Sequence, residues 1–312
     1  MTPRVSIVMA AKNYARFLPM AVESVRAQTF ADWELLIIDD GSRDDTPQAV
    51  RPFLTDPRVR YVRSDSLGQS RAKNLGIGLS RGEFVAFLDA DDAWLPTKLE
   101  KQLARFIPSV GVIYSRRLLM DEDGRVAKPQ AASATDESTR RRTEVAPPSM
   151  FVQNFVCFSS AVVRREVFAR VGAFNPEWDL SIDYDLWLRV GTHYEFACVD
   201  EPLVLYRTGH GNLSKKLADR VATAMAIMHR AESHYRIDET REAIAEGYAS
   251  TCRTIGYVMR SSEPLTAAKW YWKGLRWPHG RFASMKGLAA SLLAWLRGKR
   301  IPGAAENATM NR

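Results

Sequence analysis

Between residues 5 and 114 the sequence changes hydrophobic period again and again, and this alternation limits the fold more than any other feature. Short apolar runs of strand type stand at Val5–Met9, Trp33–Ile38, Val59–Val62, Phe84–Leu88 and Val110–Tyr114. Between them lie helical spacings: Phe17, Ala21, Val25 and Gln28 after the first run, then Gln69–Leu79, then a segment from Pro96 to about Phe106. Short continuous apolar runs suit strands buried on both faces, whereas steps of three and four residues turn one helix face inward. Thr46 is expected to cap the second helix with Pro47 at its first position, since a hydroxyl satisfies a free N–H there and proline leaves none unpaired. Strands alternating with helices predict an α/β fold, with an open, mainly parallel sheet and helices on both faces.

The pattern then changes. Lys128–Pro148 is poor in apolar side chains and reads as a mobile loop. Strand-like Cys157–Val163, a helix at Arg165–Val171, a helix at Asp183–His193 and short strands at Glu195–Val199 and Pro202–Tyr206 complete the α/β part. Beyond Gly211 only helical patterns remain, at Leu213–Tyr235, Glu239–Arg260, Leu265–Trp277 and Phe282–Arg297. The expected organisation is an α/β domain over residues 1–212 and a helical C-terminal region over 213–312. Cys157, Cys198 and Cys252 stand alone, which argues against structural zinc or a disulfide framework and for a reducing compartment. No leader-like N-terminus and no run of ~20 apolar residues is present, so a cytoplasmic chain is expected.

Charge is placed unevenly. From Pro264 onward nine Lys and Arg face one acid, Glu306, so this stretch holds the whole formal charge of +8 and the rest is neutral. A neutral body with a basic tail is the distribution of a surface-binding appendage, not of a nucleic-acid-binding protein.

Acidic clusters mark the carboxyl ends of two expected strands, Asp39-Asp40-Gly41-Ser42 and Asp89-Ala90-Asp91-Asp92. Ligands of open α/β sheets bind beyond those strand ends, so both clusters can face one pocket. Asp and Gly also suit plain strand-to-helix turns, which accounts for the first cluster equally well. Three aspartates in four residues repel one another unless a cation compensates them, and hard oxygen ligands suit Mg²⁺ or Mn²⁺ shared with a phosphate.

These motifs, taken in order, resemble the family 2 inverting glycosyltransferases of GT-A fold. The resemblance runs through Val5–Tyr14, Leu36–Ser42, Gly68 with Arg71-Ala72-Lys73-Asn74, Phe87–Asp92, Asp183–Arg189, and Tyr206-Arg207 with His210. It covers roughly residues 3–212. It implies a Rossmann-like domain that takes a nucleotide-sugar donor, a UDP-sugar above all, with Mn²⁺ or Mg²⁺ as cofactor. The acceptor it implies is a hydroxyl of a glycan or lipid-linked molecule, as in bacterial surface polysaccharide synthesis. By resemblance, Ala10, Ala11, Asn13 and Asp40 hold the base, Arg71 lies against base and ribose, Asp89 binds ribose or sugar, and Arg207 contacts diphosphate. Asp91, Asp92 and His210 are the implied metal ligands, and Asp183 the implied catalytic base. Two positions depart from the family pattern: Ala10-Ala11-Lys12 replaces the usual Pro-Thr-Tyr, and Ile182 stands where a Glu is common.

Asp185 competes with Asp183 for the base role, since two residues on a helix lie about 200° apart and only one can face the substrate. Two other function classes remain open on sequence. One is a phosphotransferase or hydrolase with an Asp-x-Asp nucleophile, which would carry that motif after its first strand. The other is a silent nucleotide- or glycan-binding module. In the tail, Phe282, Met285, Leu288, Leu292, Trp295 and Leu296 recur at three- and four-residue steps among bases. That is the composition of a helix lying on an anionic membrane surface, so residues 264–312 are expected to attach the protein peripherally, packing on the catalytic domain being the competing role.

Overall fold

The computed structural model describes residues 2–126, 144–145, 150–151, 154–209, 217–233 and 237–296. Two compact units divide it, residues 1–146 with 155–212, and residues 147–154 with 213–312.

The first unit is built on one sheet. Strands β1 (Val5–Ala11), β2 (Trp33–Asp39), β3 (Val59–Arg63) and β4 (Phe84–Phe87) alternate with helices α1 (Leu18–Arg26), α2 (Thr46–Val50) and α3 (Gln69–Leu79). There follow β5 (Ala93–Trp94), α4 (Lys98–Leu103), β6 (Val110–Met120), β7 (Glu144–Val145), β8 (Val162–Arg164), α5 (Arg165–Val171), α6 (Ile182–Val190) and β9 (Glu195–Arg207). The sheet order is β3-β2-β1-β4-β8-β6-β9-β5, with β7 on β9. All seven residues of β2 are buried, as expected of a strand covered on both faces. On one side Leu18, Ala21, Val22 and Val25 of α1 pack against Val5, Ile7, Met9 and Leu35. On the other, Gly76 of α3 lies so close to Val8 that any side chain there would overlap it.

The sheet is mixed: most of its paired residues run parallel, with antiparallel strands let in. Its β3-β2-β1-β4 half is parallel, but β8 runs antiparallel to both β4 and β6. Parallel pairing needs a crossover, usually a helix, and the polar stretch between β6 and β8 carries no apolar helical period. Helices α5 and α6 supply such a crossover before β9, which pairs parallel to β6. The break expected at Asp200-Glu201 is instead an irregularity within β9, where the register against β6 shifts at Ser115 to Arg117. A bulge lets Pro202 remain in a strand. Within the stretch read as a loop, Glu144–Val145 pair with β9, and the rest of 128–148 lies outside the described residues apart from that pair.

The second unit holds helices α7 (Leu217–Glu232), α8 (Ile237–Met259), α9 (Pro264–Gly274) and α10 (Arg281–Leu296). No helix among the described residues is long and apolar enough to cross a membrane.

Candidate functional site

Two loops are stapled together where β1 and β2 end. The Asn13 N–H donates to Ser42 Oγ (2.9 Å), and Asn13 Oδ1 accepts the Arg43 N–H (2.8 Å). The Tyr14 N–H donates to Thr46 Oγ1 (3.0 Å) and the Ala15 N–H to Asp44 Oδ2 (3.0 Å). Thr46 is therefore the first residue of α2 and not its cap; its hydroxyl holds the neighbouring loop. Asn13 takes φ 62°, a left-handed conformation that its short amide tolerates better than most side chains. Ala10 is half-buried, Ala11 buried and Asn13 exposed, so this edge is fixed and partly open.

Asp39 is internal: its Oδ1 accepts the Ser42 N–H (2.8 Å), and Tyr61 donates its hydroxyl to Oδ2. Asp40 is nearly as buried, and its carboxylate accepts the N–H groups of Leu67 and Gly68, the Ser64 hydroxyl (3.1 Å) and Lys12 Nζ (3.5 Å). Asp40 thus orders the loop entering α3, where Gly68 turns at φ 90°. The Lys12 contact is long and made by a half-exposed side chain, so Oδ2 is the acceptor position a ligand N–H can take over.

The acidic loop after β4 sorts its three aspartates. Asp89 is half-buried, and its Oδ1 accepts Lys73 Nζ at 3.0 Å. Lys73 is itself buried and lies 4.2 Å from the Phe158 ring centroid. Asp92 is 1% exposed, with Oδ1 accepting the Arg207 N–H (2.8 Å) and Oδ2 the Ser159 hydroxyl. Both oxygens are engaged inside the protein, so Asp92 staples β9 to the acidic loop. Arg207 is likewise not brought to an open face. It is 3% exposed, and its guanidinium donates to the carbonyls of Asp91 (2.8 Å), Asp121 (3.1 Å) and Glu122 (3.0 Å). It braces the acidic loop from behind. His210 lies outside the described residues.

The charge here is poorly compensated. Burial raises the Asp89 pKa, Lys73 opposes the rise, and Asp91 and Asp183 add to it. Burial, then Asp91 and Asp89, put Asp92 well above the usual carboxylate range. Burial and the same three aspartates hold the Tyr14 phenol protonated far above its ordinary value; burial and then Asp92 act likewise on Tyr206. Among the described residues no three His, Cys, Asp or Glu side chains form a cage for a metal by themselves. One or two carboxylates completed by phosphate oxygens is the usual way Mg²⁺ is held, so a carboxylate such as Asp91 in this acidic loop fits a cation shared with a diphosphate.

Asp183 stands in the first turn of α6, and its charge adds, after burial and Asp91, to the rise at Asp89. Asp185 does not compete. Its Oδ2 accepts Arg189 Nε (2.9 Å) and Nη2 (2.7 Å), its Oδ1 accepts Trp178 Nε1 (3.2 Å), and it is buried. The segment that delivers Asp183 is tied to α3: Asn74 donates to the Phe174 carbonyl (2.8 Å) and accepts the Phe174 N–H (2.9 Å), and the Ser70 hydroxyl donates to the Trp178 carbonyl (2.8 Å). Ser181, the cap of α6, is left-handed at φ 53°. Arg71, on α3, is exposed. Sequence reasoning attached no role to Lys73, Ser159, Tyr206 or Asn74; only Lys73, an ammonium two residues from Arg71 in a quoted motif, left a usable signal.

The family model described as Glycosyl transferase family 2 matches residues 6–172. An uncharacterized glycosyltransferase of Nostoc is 31% identical over 67% of this chain and 65% of its own length. The UDP-Glc:alpha-D-GlcNAc-diphosphoundecaprenol beta-1,3-glucosyltransferase WfgD of Escherichia coli is 33% identical over 40% of this chain. This chain spans 49% of that relative. Among solved structures, S. aureus TarS 1-349 with UDP-GlcNAc superposes with TM-score 0.67 at 17% identity, covering 95% of this chain and 92% of that one. The mannosyltransferase PcManGT of Pyrobaculum calidifontis with GDP-Man and Mn2+ gives TM-score 0.64 at 17% identity, covering 95% and 88%. At such identity the likeness is one of fold.

Proposed function

The chain belongs to glycosyl transferase family 2, and on that premise we propose that it is an inverting, divalent-cation-assisted glycosyltransferase. Its donor is a nucleoside-diphosphate sugar, a UDP-sugar in the first instance, and its acceptor a hydroxyl of a glycan or lipid-linked glycan. The observation that carries this reading is the acidic loop Asp89-Ala90-Asp91-Asp92 at the end of β4, with Lys73 paired to Asp89 and Asp183 at the start of α6 within its electrostatic reach. A nucleotide-binding turn alone has no use for a carboxylate delivered from α6. The UDP-sugar preference draws support from the relative that uses UDP-Glc and the fold neighbour that holds UDP-GlcNAc. The lipid-linked acceptor draws on the former, and the cation on the neighbour with GDP-Man and Mn2+. Such an acceptor fits work at a membrane surface, to which the basic tail would bind.

In this reading the base lies along Ala10–Asn13 and displaces Lys12 from Asp40 Oδ2, while Arg71 closes over base and ribose. Asp89, steadied by Lys73, faces ribose or sugar, and Asp91 holds the cation with the diphosphate. Bound there, the cation supplies positive charge to the departing diphosphate. Asp183 takes the proton of the acceptor hydroxyl as its oxygen bonds to the anomeric carbon. The bond from that carbon to the diphosphate oxygen breaks with its electron pair on the leaving group, and the configuration inverts.

Release of nucleoside diphosphate from UDP-Glc, UDP-GlcNAc and GDP-Man, with Mn²⁺ and with EDTA, tests the proposal. Cation-dependent release from at least one donor is expected, slowed by Asp183→Asn. Binding of a donor without any release, in water or with glycan acceptors, would make the chain a silent binder.

A further inference from the structure

Helix α10 packs in the reverse of the usual sense. A surface helix ordinarily turns its large apolar residues inward and its polar ones outward. Here Ser284, Gly287, Ser291 and Ala294 are the buried residues. At Gly287 the backbone approaches Tyr271 of α9 so closely that a Cβ would overlap the ring. Small residues allow that approach, and the opposite arc of the same helix is left with the large ones. Phe282 is 69% exposed, Leu296 70%, Met285 57%, and Trp295 51%, with Trp272 of α9 at 68%.

The rim of this apolar face is cationic. Arg281 and Lys286 flank it, and Lys286 Nζ lies 4.4 Å from the Phe282 ring centroid. Not one Asp or Glu occurs between residues 264 and 296, and Arg297, Lys299 and Arg300 follow directly in sequence. Exposed apolar patches of this size on a folded domain mark interaction surfaces.

We infer that the outer face of α10 is the surface that binds an anionic lipid membrane. Aromatic and aliphatic side chains enter the headgroup boundary while Lys and Arg meet lipid phosphates. A second copy of the chain fits worse: a two-fold contact through this face brings two cationic rims together, with no Asp or Glu in residues 264–296 of either copy to answer them. The remaining chain fits worse still, since residues 297–312 offer only Ile301, Met310 and prolyl or alanyl side chains as apolar cover. This inference rests on the membrane-side role proposed above but not on the chemistry of Asp89, Asp91 and Asp183, because vesicle binding needs no donor.

The test is co-sedimentation of the full chain with vesicles of phosphatidylcholine alone or mixed equally with phosphatidylglycerol, at low and high salt. Binding is expected only to the anionic vesicles and is expected to fade with salt. Phe282→Ser/Trp295→Ser/Leu296→Ser removes exposed groups only, so the fold, followed by thermal unfolding, is expected to persist while binding drops at least tenfold. Arg281→Gln/Lys286→Gln is expected to weaken binding about 30-fold, at the usual worth of a base near an anionic surface. Failure of the unchanged protein to bind at low salt overturns the inference, as does unchanged binding by the triple variant. Loss of a dimer in the triple variant, measured by light scattering without vesicle binding in the parent, would assign the face to a second copy instead.

Discussion

Asp183 and Asp185 show how neighbouring carboxylates divide their work. Asp185 is committed to Arg189 and Trp178, so Asp185→Asn is expected to lower stability by about 1–3 kcal/mol in urea titration. Asp183→Asn is expected to keep donor affinity and lose about 10²–10⁴ in turnover, the usual worth of a general base. A turnover defect confined to Asp185→Asn, with stability unchanged, would reverse the assignment. Lys98 gives a second test. It is fully buried, its Nζ finds no hydrogen-bond partner among the described residues, and it sits 3.9 Å from the Trp94 ring centroid. Burial pushes its pKa well below the ordinary lysine value. The unfolded chain regains the proton below about pH 10 while the folded chain does not, so this group costs stability increasingly as pH falls. Lys98→Met is therefore expected to be more stable than the parent, by a margin that widens from pH 10 to pH 7 in denaturant titrations. A constant margin would mean that Lys98 keeps its proton when folded. The aspartates were legible in sequence because repeated like charge is itself a signal. The internal commitments of Asp92 and Arg207 were not, since Ser159 for the one and carbonyls at Asp121 and Glu122 for the other, far away in the chain, decide them.

At the scale of elements, one turn of α3 serves both sides of the site: Lys73 pairs with Asp89, and Ser70 and Asn74 hold the segment that leads into α6. Asn74 is thus a positioning residue for Asp183. Asn74→Ala is expected to lower turnover roughly 10-fold or more with little change in donor KM, since small misplacements of a catalytic group are costly. In an Asp183→Asn background the same change is expected to do nothing further; an equal additional loss would show a general structural role. Helices and parallel strands were readable because their apolar periods are local. The reversed direction of β8 and the bulge in β9 were not, because pairing partners distant in sequence choose them. The buried arc of α10 escaped in the same way: the steps of its large apolar residues were visible, but the close approach of Tyr271 at Gly287 was not.

Over the whole molecule, the acids of the candidate site lie in the neutral part of the chain and the net charge lies in the tail, so the proposed donor chemistry and the proposed surface binding are tested separately. Asp91 joins the central claims, since the account has it hold a cation together with the donor diphosphate. The most direct measurement is the thermal shift produced by UDP with Mn²⁺ and with EDTA, in the parent and in Asp91→Asn. A ligand that binds only the folded state raises its stability by mass action, about 2.7 kcal/mol at a hundred times its Kd. A UDP-dependent rise in Tm is expected that requires Mn²⁺ and vanishes in Asp91→Asn. The same rise in EDTA, or full Mn²⁺ dependence retained by Asp91→Asn, would contradict it.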